Sequence, residues 1–567
     1  MLRLLLIPSA LVALLAGALL WSGGGSMRRA DFAFISPAEV TSLDPNRISW
    51  VQDFRLAYSL WEGLYTIDPV TLDAINGSAE KVDITDNGRV YTFHIRPDAK
   101  WSNGDDLLAK DYIFGWRRML EEPGEYTYLL YYIKGAKEYC EAFEKDTQAF
   151  DKQGDHAPIS FSAVFSTVGI KELGPKTLQV TLVHPCAPFP DICTMPVCFP
   201  VNERSMEKFL DQNTFEASQK RIRRYDKKFT LPPYLVTNGP YMLTSWEFRR
   251  RMRLTANPNY WDRAHVKCRI IDQLSTSDPQ WAYAMYETGG ADWIPDFVGE
   301  IAAEVRARHS PDLHQFPGFG TYFYSFNCRP QLNDGRKNPF ADVRVRQAFT
   351  MAIDKQVIVE KITRLGEIPS SNYIPPGSFS HYVSPKGLPM DIAAARKLMA
   401  DAGYPDGKGF PPVSILFNNE MQHGPIAENI RRQWLDNLGV DMKLEGIEIK
   451  LFREKLHNKD YSVARASWFG DYNDPSTFTD KYKPDSENND SAWINAEYAK
   501  KCNQADIETD RAKRLKYFAE AEQILLDEAP ILPLYTYVGS YLYKPYVKGI
   551  PLHPRQMLVL KSVEVAH

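Results

Sequence analysis

Cysteine is scarce: seven in 567 residues, an odd number. That excludes a disulfide framework and leaves at least one thiol unpaired within the chain. None lies near the N-terminus, so a lipobox lipoprotein is excluded. Cys186, Cys193 and Cys198 cluster in a proline-rich loop without the tight C-x-x-C gap of a zinc site. A local disulfide, or none, fits them better than a metal. Neither charge is in excess: Lys+Arg 67 against Asp+Glu 71 leaves a net charge of −4. That is an ordinary soluble surface and argues against a nucleic-acid binder. H-E-x-x-H and G-x-S-x-G are both missing, so the two commonest hydrolase signatures have no footing.

What is present is length, aromatics and an export-like start. At about 150 residues per domain the chain makes three to four domains. Trp 12, Tyr 30 and Phe 29 suit a large lined cavity, although most aromatics fill cores. Arg3 precedes an apolar run from Leu4 to Trp21, then Ser22-Gly23-Gly24-Gly25-Ser26. A basic start and an apolar stretch make an export signal, and Ala16-Gly17-Ala18 offers a cleavage site. The run is also long enough for an uncleaved anchor, with the Gly/Ser segment as a flexible spacer.

The chain is organised around Arg465-Ala466-Ser467-Trp468-Phe469-Gly470-Asp471-Tyr472-Asn473-Asp474-Pro475. Tyr461-Ser462-Val463-Ala464 before it has strand character, and Asn473-Asp474-Pro475 reads as a turn. Trp468 to Asp471 therefore lie where a strand runs out into a loop, a usual place for ligand groups. A carboxylate walled by aromatics suits an ammonium. The fork of donors on Arg465 suits a carboxylate. The two charges together match the two ends of a peptide. A surface ion pair beside a partly buried tryptophan would leave the same eleven residues.

Other landmarks run the length of the chain. They are Val40-Thr41-Ser42-Leu43-Asp44-Pro45, then Tyr58 to Leu64 as a helix closed by Gly63. Phe93-His94-Ile95-Arg96-Pro97 leads to Lys100-Trp101-Ser102-Asn103-Gly104, with Trp101 read as a packing residue. Thr237-Asn238-Gly239-Pro240-Tyr241 and Ala402-Gly403-Tyr404-Pro405-Asp406-Gly407 follow. Asn87-Gly88 marks a hairpin. Residues 168–182 read as paired strands around Gly174-Pro175. Asp342 is an N-cap candidate for a helix whose apolar face is Val345, Ala348, Phe349, Ala352 and Ile353. Ile426, Ile430, Trp434 and Leu438 mark another helix, closed by Gly439.

With these landmarks the chain, from about Phe32 to Tyr535, resembles the extracytoplasmic solute-binding proteins of peptide ABC importers, the oligopeptide-binding or peptide/nickel-binding family. The resemblance implies an α/β, periplasmic-binding-protein-like (type II) fold: two lobes around a ligand cleft plus an additional smaller domain. It implies a signal or anchor with spacer over 1–29, and lobe I from 30–61, 203–319 and 536–567. The additional domain is then 62–202, and the other lobe 320–535. Asp471 would anchor a peptide N-terminus. Ser49, Trp50 and Val51, as an extended edge, and Arg465, Ser467, Trp468 and Phe469 would flank its backbone. Tyr128 would reach into the cleft. His423 would meet the C-terminal carboxylate, although a lone histidine is more often solvated or satisfied.

Two departures stand out. Oligopeptide-binding relatives commonly carry a disulfide where this chain has Gly320 and Phe469. Leu456 stands where relatives can offer a base to the ligand C-terminus. The expected function is oligopeptide capture outside the cytoplasmic membrane for a permease, by a monomer without catalytic residues, metal or cofactor. Capture of a dipeptide, a cell-wall peptide, a nickel complex or an oligosaccharide is the alternative, and a periplasmic hydrolase the rival from another class.

Overall fold

The computed structural model describes residues 29–566, apart from 49, 70, 72, 154–164, 298, 380, 421, 485, 509 and 555. The N-terminal apolar run and Ser49 lie outside the described residues. Among the described residues no helix is long and apolar enough to cross a membrane.

Strands from distant parts of the chain meet in one mixed sheet. Its order is 443–447, 414–418, 463–469, 313–326, 531–543, 293–294, 32–36, 270–275, 251–256, 241–247. The first strand, Phe32–Ser36, pairs in parallel with Ile270–Ser275, so the amino-terminal segment returns to a region more than 200 residues later. Two long antiparallel strands, Leu313–Phe326 and Ile531–Tyr543, run through the middle and join the two halves. Their register shifts between Pro317 and Thr321, a local irregularity that bends a strand pair. A separate, smaller antiparallel sheet has four strands in the order 79–85, 90–95, 177–181, 170–174. Asn87-Gly88 turns its first hairpin and Gly174-Pro175 its last, as the turn chemistry requires.

Local signals decide the helices. Asp342 caps Val343–Met351 by accepting from the Arg344 amide at 2.9 Å. Val345, Ala348, Phe349, Ala352 and Ile353 are all fully buried. Gly439, at φ +71°, ends His423–Leu438 in the left-handed conformation that favours glycine. Gly63 does not close a helix: Val51–Leu60 ends three residues earlier. Separate cores sit on either side of the long strands, one of them built around Phe349, Trp434 and Tyr322.

All seven cysteines are free thiols, six of them buried. Cys186, Cys193 and Cys198 therefore form no local disulfide. Burial pushes the Cys198 thiol up to about 12, so it behaves as a small apolar side chain.

Candidate functional site

The strand Val463–Phe469 has an incomplete neighbour. On one side it pairs with Gly320–Phe326 along its whole length. On the other, Ser414–Asn418 matches only Val463 and Ala464. The backbone from Arg465 to Phe469 is thus an open sheet edge, a template for one more strand. Asp471 stands just past its end.

Side chains alternate along this strand. Ala464 and Ala466 are buried, whereas Arg465, Ser467 and Phe469 face the other way and are partly or well exposed. Trp468 points with the alanines, away from Arg465. Its indole N–H donates to the Thr477 carbonyl at 2.7 Å, and the Lys481 ammonium sits 4.8 Å from its ring centroid. Arg465 and Trp468 therefore serve opposite faces.

The loop carrying Asp471 is held from within and from across the cleft. The Asp471 amide donates to Thr477 Oγ1 at 2.8 Å. Asp474 accepts from the Ser476 amide and hydroxyl at 3.0 and 2.7 Å. The Arg514 guanidinium grips the Asp474 carboxylate with both ends, in a buried bidentate pair. From the segment after the small sheet, Asp191 accepts the Asn473 amide at 2.7 Å. Two tyrosines from the turn at 126–132 reach the Asp471 carboxylate itself: Tyr128 donates to Oδ2 at 3.0 Å and Tyr126 to Oδ1 at 3.3 Å. Burial, then the adjacent Asp471 charge, raises both phenols above their ordinary value, so they stay protonated as donors. Tyr126 was hidden in the tyrosine-rich run Tyr126–Tyr132; its place two residues before Tyr128 in one tight turn was the available signal.

Further along the edge lies a second polar group. The Arg465 guanidinium is 5.1 Å from the Tyr322 ring centroid and donates to the Tyr537 hydroxyl at 3.4 Å. Among the described residues the groups acting on it are the Tyr537 and Tyr322 phenols, with no carboxylate, and its buried Nε has no hydrogen-bond partner. His423 begins the helix behind it and is 5 % exposed, with Tyr322 Oη 3.0 Å from its Nδ1. Burial, then the nearby Arg465 charge, pulls its pKa down to about 4. The imidazole is therefore neutral. The Tyr322 hydroxyl and Nδ1 share one hydrogen bond, whose direction follows the ring tautomer. Sequence reasoning gave no signal for Tyr322 or Tyr537, which sit on the two long central strands.

The segment before the first helix corrects an expectation. Val51 does not continue an extended edge. Val51 starts the helix, with Trp50 as its N-cap at φ −108°, ψ 144°. Leu56, Ala57 and Leu60 supply its buried face, and Asp53 puts a charge in the first turn, where the helix dipole favours it. Trp50 is exposed and lies opposite Arg453, whose guanidinium carbon is 5.9 Å from the indole centroid. Among the described residues no cluster of His, Cys, Asp and Glu could hold a metal.

Both the sequence and the fold have counterparts among known proteins. Residues 73–490 match the model for bacterial extracellular solute-binding proteins, family 5. This chain belongs to that family. The oligopeptide-binding protein OppA of Bacillus subtilis is 30% identical over 485 residues, 84% of this chain and 82% of that protein. The murein tripeptide binding protein MppA of Escherichia coli superposes with a TM-score of 0.74 at 26% identity, over 95% of this chain and 99% of that one. The Haemophilus influenzae OppA in complex with the peptide RPPGFSPFR gives 0.73 at 27% identity, over 96% and 100%. The fold is thus the mixed α/β, type II periplasmic-binding-protein architecture with an extra domain, and the family is one of binding proteins, not enzymes.

Proposed function

We propose that the chain captures oligopeptides outside the cytoplasmic membrane and delivers them to the permease of an ABC importer. One observation carries this reading: the open edge from Arg465 to Phe469 ends in the Asp471 carboxylate. A peptide added to that edge gains backbone hydrogen bonds whatever its sequence. Its ammonium pairs with Asp471, which Tyr126 and Tyr128 orient from the facing domain. Its carboxylate meets the Arg465 guanidinium, with His423 behind it. Ser467 and Phe469 line the backbone, with Trp50 on the facing lobe. The lobes close by bending the two long strands near residues 317–321 and 536–538, and contacts made only in the closed state drive that closure. The N-terminal apolar run exports the protein or tethers it, and it works as a monomer beside its permease.

Titration calorimetry tests the anchor. The parent protein and Asp471→Asn are each titrated with one peptide bearing a free or an acetylated N-terminus. Losing one partner of a desolvated charge pair costs about 2–5 kcal/mol. Both single changes should weaken binding, and together they should be less than additive. If the acetylated peptide binds the parent as tightly as the free one, Asp471 is a structural residue. Native mass spectrometry of freshly purified protein tests the ligand class: a heterogeneous peptide mixture is expected, and a single non-peptide mass would move the reading to another solute.

A further inference from the structure

Lys355 opens the short helical segment Lys355–Val357, and among the described residues no charged group acts on its ammonium. The Asp354 carboxylate before it is engaged in capping: it accepts the Gln356 amide at 3.0 Å and the Val357 amide at 3.3 Å. Lys355 Nζ reaches across to the segment after Pro369. It lies 3.1 Å from the Ser370 carbonyl oxygen and 2.8 Å from Ser371 Oγ. Burial pulls its pKa down to about 7.

The two serines are fixed by other bonds. The Ser370 amide donates to the Leu534 carbonyl at 3.0 Å, and Ser370 Oγ accepts the Asn372 amide at 3.1 Å. Asn372 Nδ2 donates to the Pro385 carbonyl at 2.6 Å. Gly387 packs so closely on the Ser371 carbonyl that a side chain there would collide with it. The backbone around Ser371 is therefore held without help from Lys355. Lys355 and Ser371 are both partly exposed, so a reagent can approach.

An ammonium with two neutral acceptors gains little from them against the cost of leaving water. A neutral amine has no such cost. It keeps one N–H on the Ser370 carbonyl and turns its lone pair to the Ser371 hydroxyl. A hydroxyl beside a desolvated amine, with that amine oriented by a third group, is the arrangement that activates a serine.

We propose that Ser371 and Lys355 form a nucleophile–base pair, a modification site that takes one acyl group from an activated ester. Ser371 Oγ bonds to the carbonyl carbon as its proton passes to Lys355 Nζ. The carbon–oxygen bond to the leaving group breaks, and the proton leaves with that oxygen. A serine ester and a free alcohol result, and Lys355 is neutral again. The site takes its group once, so it makes no enzyme of a binding protein. It is independent of what the cleft binds.

The test uses the full chain and two probes. Release of nitrophenol from p-nitrophenyl acetate gives the stoichiometry and rate. An alkyl fluorophosphonate, which loses fluoride to the serine oxygen, marks the residue for mass spectrometry. One nitrophenol per chain and a phosphonyl group on Ser371 are expected. The rate should rise through about pH 7, as Lys355 loses its proton. Ser371→Ala should abolish both signals. Lys355→Met should slow them about 100-fold or more, the usual contribution of a general base. Lys355→Arg keeps a cation beside the Ser370 carbonyl but supplies no base, and should be as slow. Thermal melting shows whether each variant is folded; if a lysine variant is not, Ser371→Ala and the parent's pH profile still decide. No adduct on Ser371, a rate flat across pH 6–8, or full reactivity in folded Lys355→Arg would overturn the proposal. So would an acetyl group that reaches Lys355 as fast in Ser371→Ala, since the lysine would then be the nucleophile.

Discussion

Phe469 fills the space that a side chain at Gly320 would need. The two residues pair across adjacent strands, and a Cβ added to Gly320 would come within 2.5 Å of the Phe469 ring. At this pair the chain has a ring lying over a glycine. The Phe469 ring is also 4.7 Å from that of Tyr537, which hydrogen-bonds Arg465. Its position is thus tied to the cation on the open edge.

The first prediction follows from that packing. Gly320→Ala must displace the Phe469 ring, which is 48% exposed and free to swing outward. Stability should change by less than about 1 kcal/mol, as for a surface substitution. Peptide affinity should fall severalfold, because the ring moves into the edge a ligand would use. In a Phe469→Ala background the same substitution should have no further effect on affinity. Calorimetry on the four proteins checks this; an additive loss would mean that Gly320 acts through its backbone.

Two buried titratable groups give pH effects of opposite sign. His423 has its pKa pulled down to about 4 in the folded chain, against about 6.5 unfolded. Its neutral form contributes stability that is present above pH 6.5 and lost as pH falls toward 4, on the order of 3 kcal/mol in total. His423→Gln can still accept from Tyr322 and does not charge. Its melting temperature should fall less between pH 6.5 and 4 than the parent's. Ligand affinity should show no His423 inflection between pH 5 and 8.

Glu522 behaves in the reverse way. It is fully buried, its carboxylate accepting from the Tyr373 and Ile374 amides and the Tyr382 hydroxyl. Burial pushes its pKa up to about 7. A raised pKa gives stability that is complete below the unfolded value near 4.3 and is lost as pH rises through 7. Glu522→Gln keeps an acceptor for both amides and removes the buried charge. It should be more stable than the parent at pH 8 and lose that advantage at pH 5. Equal melting profiles for the two proteins would show that the carboxylate is not held in a pH-sensitive state.

Where the chemistry is local, the sequence was readable. Asp342 and Gly439 end helices through bonds and backbone angles that involve only near neighbours. The strand leading to Asp471 ends where Asn473-Asp474-Pro475 turns the chain. The contacts that make the site are of another kind. Asp191 and Asn473 are 282 residues apart, and Tyr128 and Asp471 are 343 apart. No spacing rule reaches that far, so Tyr128 came from resemblance and Asp191 did not come at all. Val51 was misread for a simpler reason: Leu56, Ala57 and Leu60 carry a helical period that begins there, while Trp50 before it keeps extended angles. The opposite facing of Arg465 and Trp468 was legible, since odd and even positions on a strand must diverge.

The last prediction concerns closure. Asp191, just after the small four-stranded sheet, accepts the amide of Asn473, two residues from Asp471. The bond exists only while that segment sits against the 471–475 loop. The loop is rigid in itself, because Arg514 and Ser476 hold Asp474 independently of Asp191. Asp191→Ala should therefore leave the loop folded and remove one cross-cleft contact. A bond from an amide to a charged acceptor is worth about 1.5–3 kcal/mol. Losing it should lower affinity about 10- to 100-fold. It should also give a larger radius in small-angle scattering at subsaturating peptide. The acetylation penalty should persist, since Asp471 and its tyrosines are intact. Asp191 also lies against the Cys193 thiol, so thermal melting must be followed alongside. Unchanged affinity and radius in a stably folded Asp191→Ala protein would mean that closure is carried by Tyr126 and Tyr128 alone.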